Sequence, residues 1–138
     1  MHLLRFFRKR VRHPFFPHLA ADDAATAPPR SQALAGTFAD LAHAAERGTQ
    51  VRRAVFVLTT ADRPLTDGQR DQLWRWYQAP VYALLEREGR LVAWECEAQD
   101  GMHVAGATHG TDCGCGRPGV VRMSARAMAH AADSRSLG

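Results

Sequence analysis

Cys96, His103, Cys113 and Cys115 are gathered into one short stretch of the chain, as a C-x6-H pair followed by a C-x-C pair among glycines. Three thiolates and one imidazole complete a structural zinc shell, which leaves no position open for water or substrate. Bound metal would also neutralise sulfurs that otherwise could not be held close together. The expected cofactor is therefore a structural zinc, with Cys96, His103, Cys113 and Cys115 as its ligands. The C-x-C spacing is tighter than the usual knuckle, and in extended chain it would send the two sulfurs to opposite faces. Gly114 and Gly116 are expected to fold it, and His109 is an alternative to His103 as the nitrogen ligand.

Two other chemistries compete for the same residues. In the plainer one, Cys96 is a buried strand cysteine, His103 and His109 lie on the surface, and Cys113 and Cys115 are free thiols. In the other, Cys96 is a nucleophile near Glu95 and His103. A nucleophilic thiol needs an exposed, electropositive setting, whereas Cys96 ends an apolar strand beside a carboxylate that raises its pKa. No catalytic residue is assigned.

The elements that must position these ligands read as a small α/β domain with the order strand, helix, strand, strand. Residues Ala54 to Thr59 form a continuous β-branched and aromatic run, as in a buried central strand. Thr66 and Gln69 have capping-box spacing and start a helix whose face carries Leu73, Trp74 and Tyr77, with Pro80 closing it. Val81 to Leu85 and Arg90 to Cys96 are strand-like, and Glu86 to Gly89 join them as a hairpin turn. Upstream, Leu3, Leu4, Phe7 and Val11 suggest an amphipathic helical arm closed by Pro14 and Pro17, then a linker through Pro28-Pro29. Ser31 is expected to cap a helix with the stripe Leu34, Phe38, Leu41 and Ala45, stopped by Gly48. Beyond Cys96 the chain is glycine-rich, with few side chains to bury, so something other than a core must hold it. A loose helix is expected from Ser124 to Ala132. The expected organisation is an N-terminal basic arm, linker and helix over 1–50, the α/β domain with its zinc loop over 51–123, and a tail over 124–138.

A length of 138 residues fits one such domain. Apolar residues at 46% and charged residues at 23% exclude a disordered or fibrous chain. The net charge of +4 is uneven, because Arg5, Arg8, Lys9, Arg10 and Arg12 crowd the first dozen positions. Aromatic side chains near them are limited to Phe6, Phe7, Phe15 and Phe16, so nucleic acid is not the expected partner. No run approaches the roughly 20 apolar residues of a membrane helix, and arginines interrupt the place of a signal peptide, so a cytoplasmic location is expected. An odd number of cysteines in that compartment argues against disulfides and toward metal or a reactive thiol. A protein partner or a small molecule remains as the expected contact, with Trp74, Trp76 and Trp94 as its aromatic surface and Trp76, off the helix's core stripe, as an anchor.

The same residues resemble a known family. From Val55 through His103 the chain is similar to the middle of phenylacetate-coenzyme A ligases, which are adenylate-forming enzymes. The matching elements are Leu65-Thr66, Pro80-Val81-Tyr82, Ala93-Trp94-Glu95-Cys96 and Gly101-Met102-His103, and Cys113-Gly-Cys-Gly-Arg117 resembles the family's Cys-x-Cys-Gly-Arg element farther on. The resemblance implies an α/β fold segment and, for a complete enzyme, ATP-dependent activation of an aryl or acyl carboxylate. Where the family carries Tyr-Gly-x-Thr-Glu for adenine and magnesium, this chain has Leu85-Glu86-Arg87-Glu88-Gly89, in which only a glutamate, Glu88, could correspond. Thr59-Thr60-Ala61-Asp62 lacks the glycines that let backbone N–H groups cradle phosphate. The expectation is thus a noncatalytic, zinc-stabilised accessory or binding module, too short for the complete enzyme. The alternative is an enzyme or enzyme fragment in carboxylate activation.

Overall fold

The computed structural model describes residues 11–99, 101–106, 113–117 and 120–121. They build one mixed sheet whose seven strands lie in chain order: β1 (Asp22–Asp23), β2 (Arg30–Gly36), β3 (Gln50–Thr59), β4 (Val81–Arg87), β5 (Arg90–Trp94), β6 (Met102–Val104) and β7 (Val120–Val121). The first four strands are parallel. From β4 onward each neighbour is antiparallel. Two helices make the parallel crossovers, α1 (Phe38–Glu46) between β2 and β3 and α2 (Asp67–Tyr77) between β3 and β4.

Strand order that advances in one direction puts same-handed crossovers on one face of the sheet. Accordingly Leu41 and Ala44 of α1 and Leu73 and Tyr77 of α2 share one core with Leu34, Val55, Val57 and Val81. The Tyr77 hydroxyl donates to the Leu41 carbonyl and ties the two helices together. Burial pushes that phenol up to about 12, so it stays a donor. A parallel strand needs both faces covered. The second face, with Ala33, Ala35, Phe56, Leu58, Tyr82 and Leu84, is covered by Val11, Phe16 and Leu19 of the N-terminal segment.

Several expectations change here. Arg30–Gly36 is a strand and the helix starts later, at Phe38, with Thr37 as its cap. The stripe Leu34, Phe38, Leu41 and Ala45 is real in that all four pack on the same core, but Leu34 reaches it from the sheet. Pairing of Arg30–Gly36 between β1 and β3 outweighs the helical propensity of its alanines. The stop at Gly48, with φ 82°, is as expected. Residues 11–20 turn through two tight bends instead of forming a helix, and Phe16 N and Leu19 N donate to the His13 and Phe16 carbonyls. Positions 1–10 of the expected arm lie outside the described residues. The expected linker contributes β1, and Ala21 and Ala24 are buried.

The central strand, the Thr66–Gln69 capping box and the hairpin follow the sequence reading. The hairpin loop narrows to Glu88 and Gly89, both with positive φ as a type I′ turn demands. Trp74, however, is 55% exposed, and Leu73 and Tyr77 alone carry the buried face of α2. The stretch after Cys96 contributes β6 and β7, and the helix expected at 124–132 lies outside the described residues. No helix among the described residues is long and apolar enough to cross a membrane.

Candidate metal centre

Each of the four expected ligands is placed by a separate local device. Cys96 follows β5 and opens a turn in which Gln99 N donates to the Cys96 carbonyl at 3.0 Å, while the Gln99 side chain donates to Val81 O. His103 sits in β6, paired with Trp94 on one side and Val120 on the other, and it is buried. Cys113 and Cys115 lie on a tight turn closed by Gly116 N donating to the Cys113 carbonyl at 2.9 Å. Gly116 has φ 85°, a conformation that side chains resist, so the bend depends on it. Gly114 is different from expectation. A Cβ there would meet Ala98 at an ordinary 3.6 Å, so no steric demand for glycine exists at that position.

These devices bring the four ligand atoms within 4.8 Å of one another, with three of the residues buried, and such a cluster could hold a metal ion. Cys96 Sγ and Cys113 Sγ are 3.4 Å apart, and Cys115 Sγ is 3.6 Å from His103 Nε2. A tetrahedral zinc shell with its usual bond lengths needs sulfur–sulfur separations of about 3.8 Å and sulfur–nitrogen separations of about 3.6 Å. The donor set and its spacing therefore fit zinc. His109 lies outside the described residues.

The electrostatics divide the thiols. Burial pushes the Cys96 thiol up to about 12, the opposite of what a nucleophile needs. The neighbouring Glu95 is not the cause, because its carboxylate turns away to take a two-point bond from Arg70 at 3.0 and 3.1 Å and a bond from Ala83 N at 2.6 Å. At Cys115 burial also opposes ionisation, but the Arg117 backbone N–H, the other two thiols and the Arg117 guanidinium outweigh it and hold the pKa below its usual value. Burial thus opposes ionisation of Cys96, while the Cys115 surroundings favour it.

Sequence reasoning missed the supporting ring of residues. His13 is fully buried and its Nε2 donates to the Glu95 carbonyl, while its Nδ1 accepts from Phe15 N at 3.0 Å. Phe15 lies edge-on to the His103 ring at 4.7 Å, and the Arg117 guanidinium covers Phe15 at 4.2 Å. Arg117 also pairs with Glu97. The N-terminal segment thereby straps the cysteine turn against β5 and β6. The available signal was His13-Pro14-Phe15-Phe16, a histidine and two aromatic rings fixed by a proline.

No family model matches this chain, and no curated protein does. Among solved structures it is similar to 2-hydroxyisobutyryl-CoA ligase in an open conformation, in complex with 2-HIB-AMP and CoA. That similarity has 21% identity and a TM-score of 0.44, and it covers 54% of this chain and 18% of the ligase.

Proposed function

We propose that the protein is a noncatalytic, cytoplasmic accessory or binding module, stabilised by a structural zinc on Cys96, His103, Cys113 and Cys115 and related to phenylacetate-coenzyme A ligase-like proteins. The observation that carries this reading is the convergence of the four candidate ligand atoms within 4.8 Å of one another, with three of the residues buried. Three thiolates and an imidazole exhaust the tetrahedral positions, so the ion's work is to fasten chain to chain. That is what the surroundings require. Among the described residues, the core beside β5 and β6 is small, made of Leu85, Ala93 and Val104. A structural zinc supplies the folding free energy that so small a cluster lacks.

A binding role is supported by α2, where Trp74 and Trp76 are exposed and Trp76 stacks on Phe38 at 5.7 Å. Large exposed rings on a rigid helix are the usual anchors of protein contact. The family relation rests on the ordered motifs from Leu65-Thr66 to Cys113-Gly-Cys-Gly-Arg117.

Two measurements on the full chain test the reading together. Thermal unfolding should shift upward when zinc is added to chelated protein, and ATP titrations in the presence of aryl and acyl carboxylates should show neither saturation nor pyrophosphate release. ATP-dependent turnover of a carboxylate would replace this reading with an acid-activating enzyme.

A further inference from the structure

A second feature shares no residue with the metal centre. Where β2 and β3 begin, an open groove of about 620 Å³ is lined by Asp22, Arg30, Ser31, Gln32, Gln50, Val51 and Arg52. Parallel pairing sets Arg30 beside Gln50 and Ser31 beside Val51. The register then shifts, so that Arg52 and Arg53 together oppose Gln32 before Ala33 meets Ala54. Such a two-against-one bulge bends the strand and re-aims its side chains. Here it puts a second guanidinium beside the groove that Arg30 already lines.

We propose that this groove binds the phosphate group of a small phosphorylated molecule. Two arginines and one carboxylate line it, and Asp22 has an interaction of its own. Among the described residues neither Arg30 nor Arg52 takes part in an ion pair. Independently of charge, Ser31 is 7% exposed and its hydroxyl is buried with no hydrogen-bond partner. Buried hydroxyls are almost always paired, so an unpaired one in a groove wall marks a place where something else supplies the partner. A tetrahedral phosphate has acceptor oxygens pointing in several directions. It can take forked bonds from guanidiniums on two strands and a further one from a hydroxyl. A planar carboxylate satisfies one fork only. The carboxamides of Gln32 and Gln50 remain for polar groups on the rest of the molecule, and the volume suits a small-molecule site.

The test is an amide NMR titration of the full-length protein at constant ionic strength with inorganic phosphate and, separately, glycerol phosphate. Saturable shifts confined to residues 30–32 and 50–52 are expected with both probes, with glycerol phosphate binding at least as tightly. Arg30→Gln and Arg52→Gln should each weaken binding about tenfold. Ser31→Ala should weaken it several-fold while leaving the spectrum of the unliganded protein in place. Shifts that do not saturate, or that map to the arginines of the first dozen residues, would overturn the site. So would affinity unchanged in the double arginine variant. Binding of inorganic phosphate without glycerol phosphate would overturn the phosphorylated-molecule assignment.

Discussion

His13 makes two hydrogen bonds of opposite sense, donating from Nε2 to Glu95 O and accepting at Nδ1 from Phe15 N. Only the neutral ring can do both, because a second proton would face the Phe15 N–H. Burial, the largest influence, lowers its pKa below 6.5 despite the Glu95 carbonyl. The folded form therefore resists a proton that the unfolded chain accepts, so His13 contributes stability that is present above pH 6.5 and lost as pH falls through the folded value. Comparing unfolding free energies of wild type and His13→Asn from pH 7.5 to 5.5 should show a steeper acid loss in wild type, by at most about 1.4 kcal/mol per pH unit. Acid release of metal affects both proteins alike and cancels in the difference. Cys113→Ser acts at the same scale. It removes a proposed ligand whose sulfur lies 3.4 Å from Cys96 Sγ and should release metal and loosen residues 97–119. Hydrogen exchange and metal content check it, and unchanged metal in the variant would count against the ligand assignment.

At the scale of elements, α2 shows what local sequence can specify. Thr66 Oγ1 accepts from Gln69 N and the Gln69 side chain accepts from Thr66 N, both at 3.1 Å. Thr66→Ala should lower stability by about 1 kcal/mol in denaturant unfolding, with metal content unchanged. This capping box, the β-branched run of β3 and the Glu88-Gly89 turn were legible because each is decided by neighbours in sequence. β2 was not. Its Ala33-Leu34-Ala35 core is short, and nothing local distinguishes a strand flanked on both sides from the first turn of the helix that follows it. That Cys96, His103, Cys113 and Cys115 converge was legible by type and spacing. Their supports were not, because His13 and Glu95 are 82 residues apart and Arg70 and Glu95 are 25 apart.

Across the whole molecule, the sheet divides into two halves held in different ways. The parallel half has apolar cores on both faces, with Phe56, Leu34, Leu41 and Leu73 fully buried. Each such side chain contributes about 1.5–3 kcal/mol by burial. The antiparallel half relies on the cysteine turn and the strap from His13 to Phe16. Removing metal should therefore melt the molecule unevenly, with amide protection lost at residues 101–106 and 113–117 and kept in β2 and β3. Trp76 is 41% exposed and stacks on Phe38 beside the buried face of α2, so Trp76→Ala should cost no more than about 1.5 kcal/mol of stability. Pull-downs with wild type and Trp76→Ala should differ in the proteins recovered if α2 is the contact surface, and identical recoveries would remove α2 from that role.

The central claim is the metal itself. Elemental analysis of the purified protein, followed by thiol titration before and after chelation, tests it most directly. About one zinc per chain, with the thiols of Cys96, Cys113 and Cys115 reacting only after chelation, is the predicted result. Metal-free protein with all three thiols freely reactive from the start would contradict it.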